Sequence, residues 1–293
     1  MTRSPETTDA NNVMALFDEP VADEVEVGRD LTPAQPEPSP AGNGAPIDLT
    51  DKPKLLMAIG AGSTGKTMLL RYFTEELLAR DSSARLAAID PEKRELKSYF
   101  QGVLEPPGYD PDTVLTWLRG FLSFLTDSRG SALVDIGGGD TALPRLVGEL
   151  PTLAADMEAA GIYPVAIYPM TPRVSDLSPL ATLERAGFQP KATAIVLNEG
   201  RMPTADRDAW FGQHRRHSVY RAAMSRGAVE LWMPRLSEWK KVEDRQLRFT
   251  HARDGIVPEV RKGVPLGLLD RAGVRTWMGR MQIAFAPISS WIP

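Results

Sequence analysis

The chain has 293 residues, 42% of them hydrophobic and 25% charged, with a net charge of −4, enough for one large α/β domain or two small ones. No apolar run approaches the ~18 residues a membrane span needs, and the acids Glu6, Asp9, Asp18, Glu19, Asp23, Glu24 and Glu26 leave no room for a secretory signal. Zero cysteines exclude disulfides, thiolate metal sites and cysteine catalysis, and His214, His217 and His251 offer little for a histidine centre, so a cytoplasmic protein is expected.

Residues 1–50 carry two Arg against ten acids, and the stretch LTPAQPEPSPAGNGAP has almost nothing to bury. A disordered acidic segment is predicted there. Its one apolar cluster, Val13 to Phe17, reads as a transient turn or a short docking helix. The remainder, 51–293, reads as one domain with a basic part from about 201, where 17 bases face 9 acids.

From Lys54 onward, short apolar runs alternate with helical patterns, the signature of βαβ units. Strands are predicted at 54–59, 84–89, 131–136, 162–168, 192–198 and 228–233. Helices are predicted at 66–80, 111–127, 144–160, 175–187, 204–226 and 264–281. In 111–127, Val114, Leu115, Leu118, Phe121, Leu122 and Leu125 recur at three- and four-residue spacing, one stripe facing a sheet. The expected fold class is α/β: a doubly wound, mainly parallel sheet with helices on both faces, its ligand at the carboxyl ends of the strands.

The first strand runs into Gly60-Ala61-Gly62-Ser63-Thr64-Gly65-Lys66-Thr67, a full match to G-x-x-x-x-G-K-[ST] in strand–loop–helix context. Gly60, Gly62 and Gly65 remove Cβ atoms where phosphate oxygens must approach backbone N–H groups. The run of amides opening onto a helix N-terminus is an anion nest. Lys66 is placed for the β- and γ-phosphates and the Thr67 hydroxyl for Mg²⁺.

Mg²⁺ also calls for a carboxylate at the end of a neighbouring strand, and Asp135 at the end of Ser131-Ala-Leu-Val-Asp supplies it. The following Gly137-Gly138-Gly139-Asp140 is a loop whose amides are placed to sense a γ-phosphate, with Asp140 equally suited to cap a helix. Asp90, before Pro91, ends another apolar strand and is the candidate for orienting an attacking water. Asn198, before Glu199-Gly200, has donor and acceptor in one plane and suits a purine edge, or simply an Asx turn. The chain has no N-K-x-D, which favours adenine over guanine.

The ordered set GAGSTGKT, AAIDPE, LVDIGGGD, YPMTPRVSDL and VLNEG resembles the ParA/MinD/CobQ group of P-loop ATPases over about residues 54–200. The resemblance implies phosphate and magnesium roles for Lys66 and Thr67, a water-positioning role for Asp90, a switch role for Asp135 and adenine reading by Asn198. It also places Pro169 at the end of a strand near the nucleotide. Such proteins usually carry a second lysine at the second loop position, reaching across an ATP-sandwiched dimer. Here Ala61 stands there, and Arg94 and Arg173 are the candidate substitutes.

The expectation is therefore a Mg-ATP-dependent switch with weak, partner-stimulated hydrolysis, acting in the positioning, segregation or transfer of DNA or cargo. An ATP-dependent homodimer, a protein partner and non-specific DNA contact through Arg215, Arg216, Arg221, Arg226, Lys240, Lys241, Arg245 and Arg248 go with it. Alternatives are a small-molecule kinase or ligase with the same loop, and a nucleotide-binding adaptor that hardly hydrolyses. The run Trp277–Phe285 is expected to pack on the sheet rather than dock on a membrane.

Overall fold

A computed structural model describes residues 45–89, 95–258 and 263–293. Most of the predicted disordered segment (1–44) lies outside the described residues, as do Asp90 and Arg94. β1 (Lys54–Ala58), β2 (Arg85–Ile89), β3 (Ala132–Ile136), β4 (Tyr163–Met170), β5 (Ala192–Asn198) and β6 (Val229–Met233) form one sheet in the order β2-β3-β1-β4-β5-β6. Every neighbouring pair is parallel. β1, β3 and β5 are buried along their whole length. That is why their sequences are continuous apolar runs rather than alternating ones.

Successive side chains of β1 serve opposite faces. Leu55 and Met57 join the core under α3 (Pro111–Ser128), α4 (Ala142–Glu149), α5 (Leu153–Ala159), α6 (Ser178–Arg185), α7 (Arg207–Arg216) and α8 (Ser218–Ser225). Leu56 and Ala58 join the core under α1 (Lys66–Ala79), α2 (Glu95–Tyr99), α9 (Trp239–Asp244), α10 (Phe249–Asp254) and α11 (Leu268–Phe285). The result is a three-layer, doubly wound α/β sandwich. From β1 the chain goes to β2 and β3 on one side and to β4 on the other, so the switch point of the sheet lies at the end of β1.

Several elements differ from the expected ones, each for a local reason. The helix expected at 144–160 is two, α4 and α5, with Pro151 between them. The one expected at 204–226 breaks at His217, which is extended (φ −69°, ψ 139°) and accepts a hydrogen bond on Nδ1 from Val219 N, 3.3 Å away. Pro169 does not end β4, which continues to Met170. It pairs with Val196 of β5, and its carbonyl lies 3.4 Å from a Cβ position on Gly60.

The domain also starts before residue 51. Leu49 is buried and its N–H donates to Ser290 Oγ at 3.2 Å, while Trp291 Nε1 donates to Ile47 O at 2.8 Å. α11 buries Val274, Trp277, Met281 and Phe285 against the sheet layer, with Trp277 Nε1 on Pro234 O at 2.9 Å. Among the described residues no helix is long and apolar enough to cross a membrane.

Candidate functional site

Residues 60–65 turn the chain from β1 into α1, and the turn depends on Gly65, the helix N-cap, at φ 103°. This left-handed conformation disfavours any side chain. A Cβ there would also lie 2.6 Å from Asn198 Nδ2 and 2.8 Å from Met233 Cε. Thr64 is fully buried and its Oγ1 donates to Ala61 O at 3.0 Å, closing the loop internally. Lys66 Nζ donates to Gly60 O and Ala61 O, each at 2.9 Å. The ammonium is thus held over the loop while the first amides of α1 form its N-terminal end. Around Gly62 no described residue comes within 4 Å of a Cβ position.

Asp135 stands level with Ala58 in the β1–β3 register and is 3% exposed. Thr67 Oγ1 donates to Asp135 Oδ2 at 3.0 Å. One hydroxyl and one carboxylate, both hard oxygen donors beside a phosphate loop, fit Mg²⁺, which takes one or two protein ligands and fills the rest with phosphate and water. No group of three or more His, Cys, Asp or Glu suited to a metal occurs among the described residues.

The glycine loop after β3 presses directly on the phosphate loop. A Cβ on Gly138 would lie 2.7 Å from Gly62 N and 3.0 Å from Gly62 Cα. Gly137 N donates to Ile89 O at 3.0 Å, tying this loop to the end of β2. Asp140 takes the capping role: its carboxylate accepts from Ala142 N and Leu143 N, each at 3.1 Å, and burial raises its pKa. β3 stands between β1 and β2, so the strand that leads to Asp90 is not the immediate neighbour of the phosphate loop's strand. Asp90 itself lies outside the described residues.

Asn198 reaches the loop from β5. Its Nδ2 donates to Thr64 O at 2.9 Å, and its Oδ1 accepts from Gly200 N at 2.9 Å. The Asx turn is therefore present, and the same side chain braces the phosphate loop. The segment that follows is held by three arginines, from α7, α11 and the loop after β6, that sequence reading did not connect. Glu199 Oε1 accepts from Arg207 and Oε2 from Arg280 (3.2 Å), while Arg235 donates to the carbonyls of Glu199 and Met202. Arg235 and Arg280 come from remote parts of the chain, and no local pattern announces them.

Arg173 lies at the phosphate loop: its Nη2 donates to Gly62 O at 3.2 Å. Arg94, the other candidate substitute for the absent lysine, lies outside the described residues.

The basic region does not make one surface. Arg215, Arg216 and Arg221 belong to α7 and α8 on one face of the sheet, with Arg226 just after α8, whereas Lys240 and Lys241 belong to α9 on the other. Many of these side chains have internal partners. Arg215 pairs with buried Glu230 and with Asp208, Arg226 with Glu184, and Lys241 with Asp270. Arg248 Nε donates to Tyr99 O at 2.9 Å and Arg245 Nη1 to Lys241 O at 3.3 Å.

No protein-family model matches this chain, and no curated protein matches it. Among solved structures it is similar to the signal recognition particle 54 kDa protein of Aeropyrum pernix in complex with GDP (14% identity, TM-score 0.42, 65% of this chain and 44% of that one). It is also similar to FtsY of Mycoplasma mycoides (12%, 0.41, 81% and 72%) and to FtsY of Elizabethkingia anophelis in complex with GDP (13%, 0.39, 66% and 60%). The chain thus spans less than half the length of the first of these and well under two thirds of the third. With every one of these TM-scores below 0.5, the likeness is limited to the general fold, and nothing about this chain's chemistry rests on it.

Proposed function

We propose that this protein is a Mg-ATP-binding P-loop ATPase that works as a nucleotide-dependent switch. The observation that carries the reading is the convergence of Lys66, Thr67 and Asp135 at the end of β1, with Thr67 Oγ1 3.0 Å from Asp135 Oδ2. The amides of Gly60–Thr67 would bind the β-phosphate, and Lys66 would exchange its two loop carbonyls for phosphate oxygens. Thr67 and Asp135 would hold Mg²⁺, which neutralises phosphate charge. Gly138, in contact with Gly62, would sense the presence of the γ-phosphate through the backbone alone.

Adenine is the favoured base. Reading guanine through its N1–H and N2–H₂ edge calls for an available carboxylate. The chain has no N-K-x-D, whose aspartate is the usual source of that carboxylate. The resemblance to the ParA/MinD group supports a switch whose output is a partner rather than a metabolite. A DNA partner would draw on the exposed Arg216 of α7 and Arg221 of α8, with a steep salt dependence.

The test is phosphate release from ATP and from GTP by the wild type, by Lys66→Ala and by Asp135→Asn. Slow release from ATP that both variants abolish is expected. Release that persists in Lys66→Ala, or none from the wild type with any partner fraction added, would contradict the proposal.

A further inference from the structure

Beyond β4 the chain continues as Thr171-Pro172-Arg173 into a 3₁₀ turn, Val174–Leu177. Asp176 is 1% exposed, and its Oδ2 accepts from Thr171 N (2.8 Å) and Thr171 Oγ1 (2.6 Å). Thr171 Oγ1 in turn accepts from Arg173 N (3.3 Å) and Arg173 Nε (3.2 Å), while Asp176 Oδ1 lies 3.3 Å from Arg173 Nη2. From behind, the buried His214 of α7 sets its Nε2 3.0 Å from the Arg173 carbonyl. The root of Arg173 is thus fixed by buried polar groups, yet its side chain is 58% exposed and its head rests on Gly62 O.

Three buried groups hold one long cation against the carbonyl of a phosphate loop, and apart from the chain neighbours of Gly62 no described residue comes within 4 Å of a Cβ position on it. Burying a carboxylate such as Asp176 costs free energy unless it is paired, and here that cost serves to aim an arginine rather than to fill the core. A guanidinium so placed matches the planar, two-oxygen face of a phosphate.

We propose that Arg173 contacts the terminal phosphate of the bound triphosphate in cis, with Thr171 and Asp176 as its positioning residues. On entry of the triphosphate its head exchanges the Gly62 carbonyl for a phosphate oxygen. It supplies a second positive charge beside that of Lys66. The arginine belongs to the same chain as the loop, so this charge needs no second copy of the protein. The proposal rests on the nucleotide-site reading above and adds the residue that distinguishes triphosphate from diphosphate.

The test is titration calorimetry of wild type, Arg173→Ala, Arg173→Lys and Asp176→Asn with ADP and with a non-hydrolysable ATP analogue at millimolar Mg²⁺. Thermal unfolding verifies that each variant folds, and phosphate release is measured in parallel. Arg173→Ala is expected to bind ADP within about threefold of wild type, to lose about tenfold or more for the ATP analogue, and to release phosphate at least about tenfold more slowly. Arg173→Lys regains part of the analogue affinity, charge without the fork. Asp176→Asn shifts the analogue-to-ADP ratio in the same direction as Arg173→Ala. A wild-type ratio in Arg173→Ala, or equal losses for both nucleotides, would overturn the proposal while leaving the nucleotide site standing. A wild type that binds neither nucleotide would overturn both together.

Discussion

Thr67 Oγ1 and Asp135 Oδ2 are 3.0 Å apart although 68 residues separate them in the chain, because β1 and β3 are parallel neighbours in register at Ala58 and Asp135. The pair joins the first turn of α1 to the end of β3. Replacing Asp135 by Asn keeps the shape and removes the charge. Affinity for nucleotide in Mg²⁺ is expected to fall by about tenfold or more, with little change in EDTA, as read by calorimetry in the two buffers.

Gly138 touches the phosphate loop so closely that a methyl group has no place, 2.7 Å from Gly62 N. Gly138→Ala must push the two loops apart, at a cost of about 1–3 kcal/mol for overpacking. The expected result is a folded protein with a lowered melting temperature and weakened nucleotide binding. Unchanged nucleotide affinity would mean that the contact between the loops does not matter to the site.

Asn198 satisfies the Thr64 carbonyl and the Gly200 amide at once. Asn198→Ala leaves both without this partner next to the loop, which is expected to cost about 1–3 kcal/mol of stability. Denaturant unfolding measures that loss. A nucleotide titration should also show weaker binding of ATP and ADP alike, since the brace acts on the loop rather than on the terminal phosphate.

His214 is buried, and this burial pushes its imidazole below the ordinary value of 6.5, against the upward pull of the Arg173 carbonyl and Asp176 and with a small push from His217. Between the lowered folded value and 6.5 the unfolded chain binds a proton that the native state refuses. Stability therefore rises with pH through that window and falls as pH drops through it, with a slope of at most about 1.4 kcal/mol per pH unit from this group. His214→Gln is expected to flatten that part of the stability profile measured from pH 7.5 down to about 5. An unchanged profile would contradict the assignment.

All six strands were legible within a residue or two of their ends, because a strand buried on both faces is an apolar run, and β1 runs into the phosphate loop, β3 ends one residue past Asp135 and β5 ends in Asn198. The Thr67–Asp135 pairing was legible for the same reason. What escaped was long-range. Arg71 and Glu75 lie within the predicted first helix, but nothing local reveals that both are buried. Arg71 Nη1 pairs with Glu243 at 2.9 Å and its guanidinium stacks 3.5 Å from the centre of the Tyr99 ring, while Glu75 accepts from Phe249 N and Thr250 N at 2.6 and 2.7 Å. Those partners are over 170 residues away for Glu243, Phe249 and Thr250. The anchors of Arg173 were hidden likewise, since Thr171 reads as a loop residue and Asp176 as the second residue of the helix predicted at 175–187 until the turn brings them together.

The most direct measurement is calorimetric titration of the wild type with ATP at millimolar Mg²⁺, alongside Lys66→Ala under the same conditions. Saturable heat from the wild type, absent or at least about a hundredfold weaker in the variant, is the predicted result. Heat of equal affinity in both proteins, or none in either with ATP or GTP, would contradict the account.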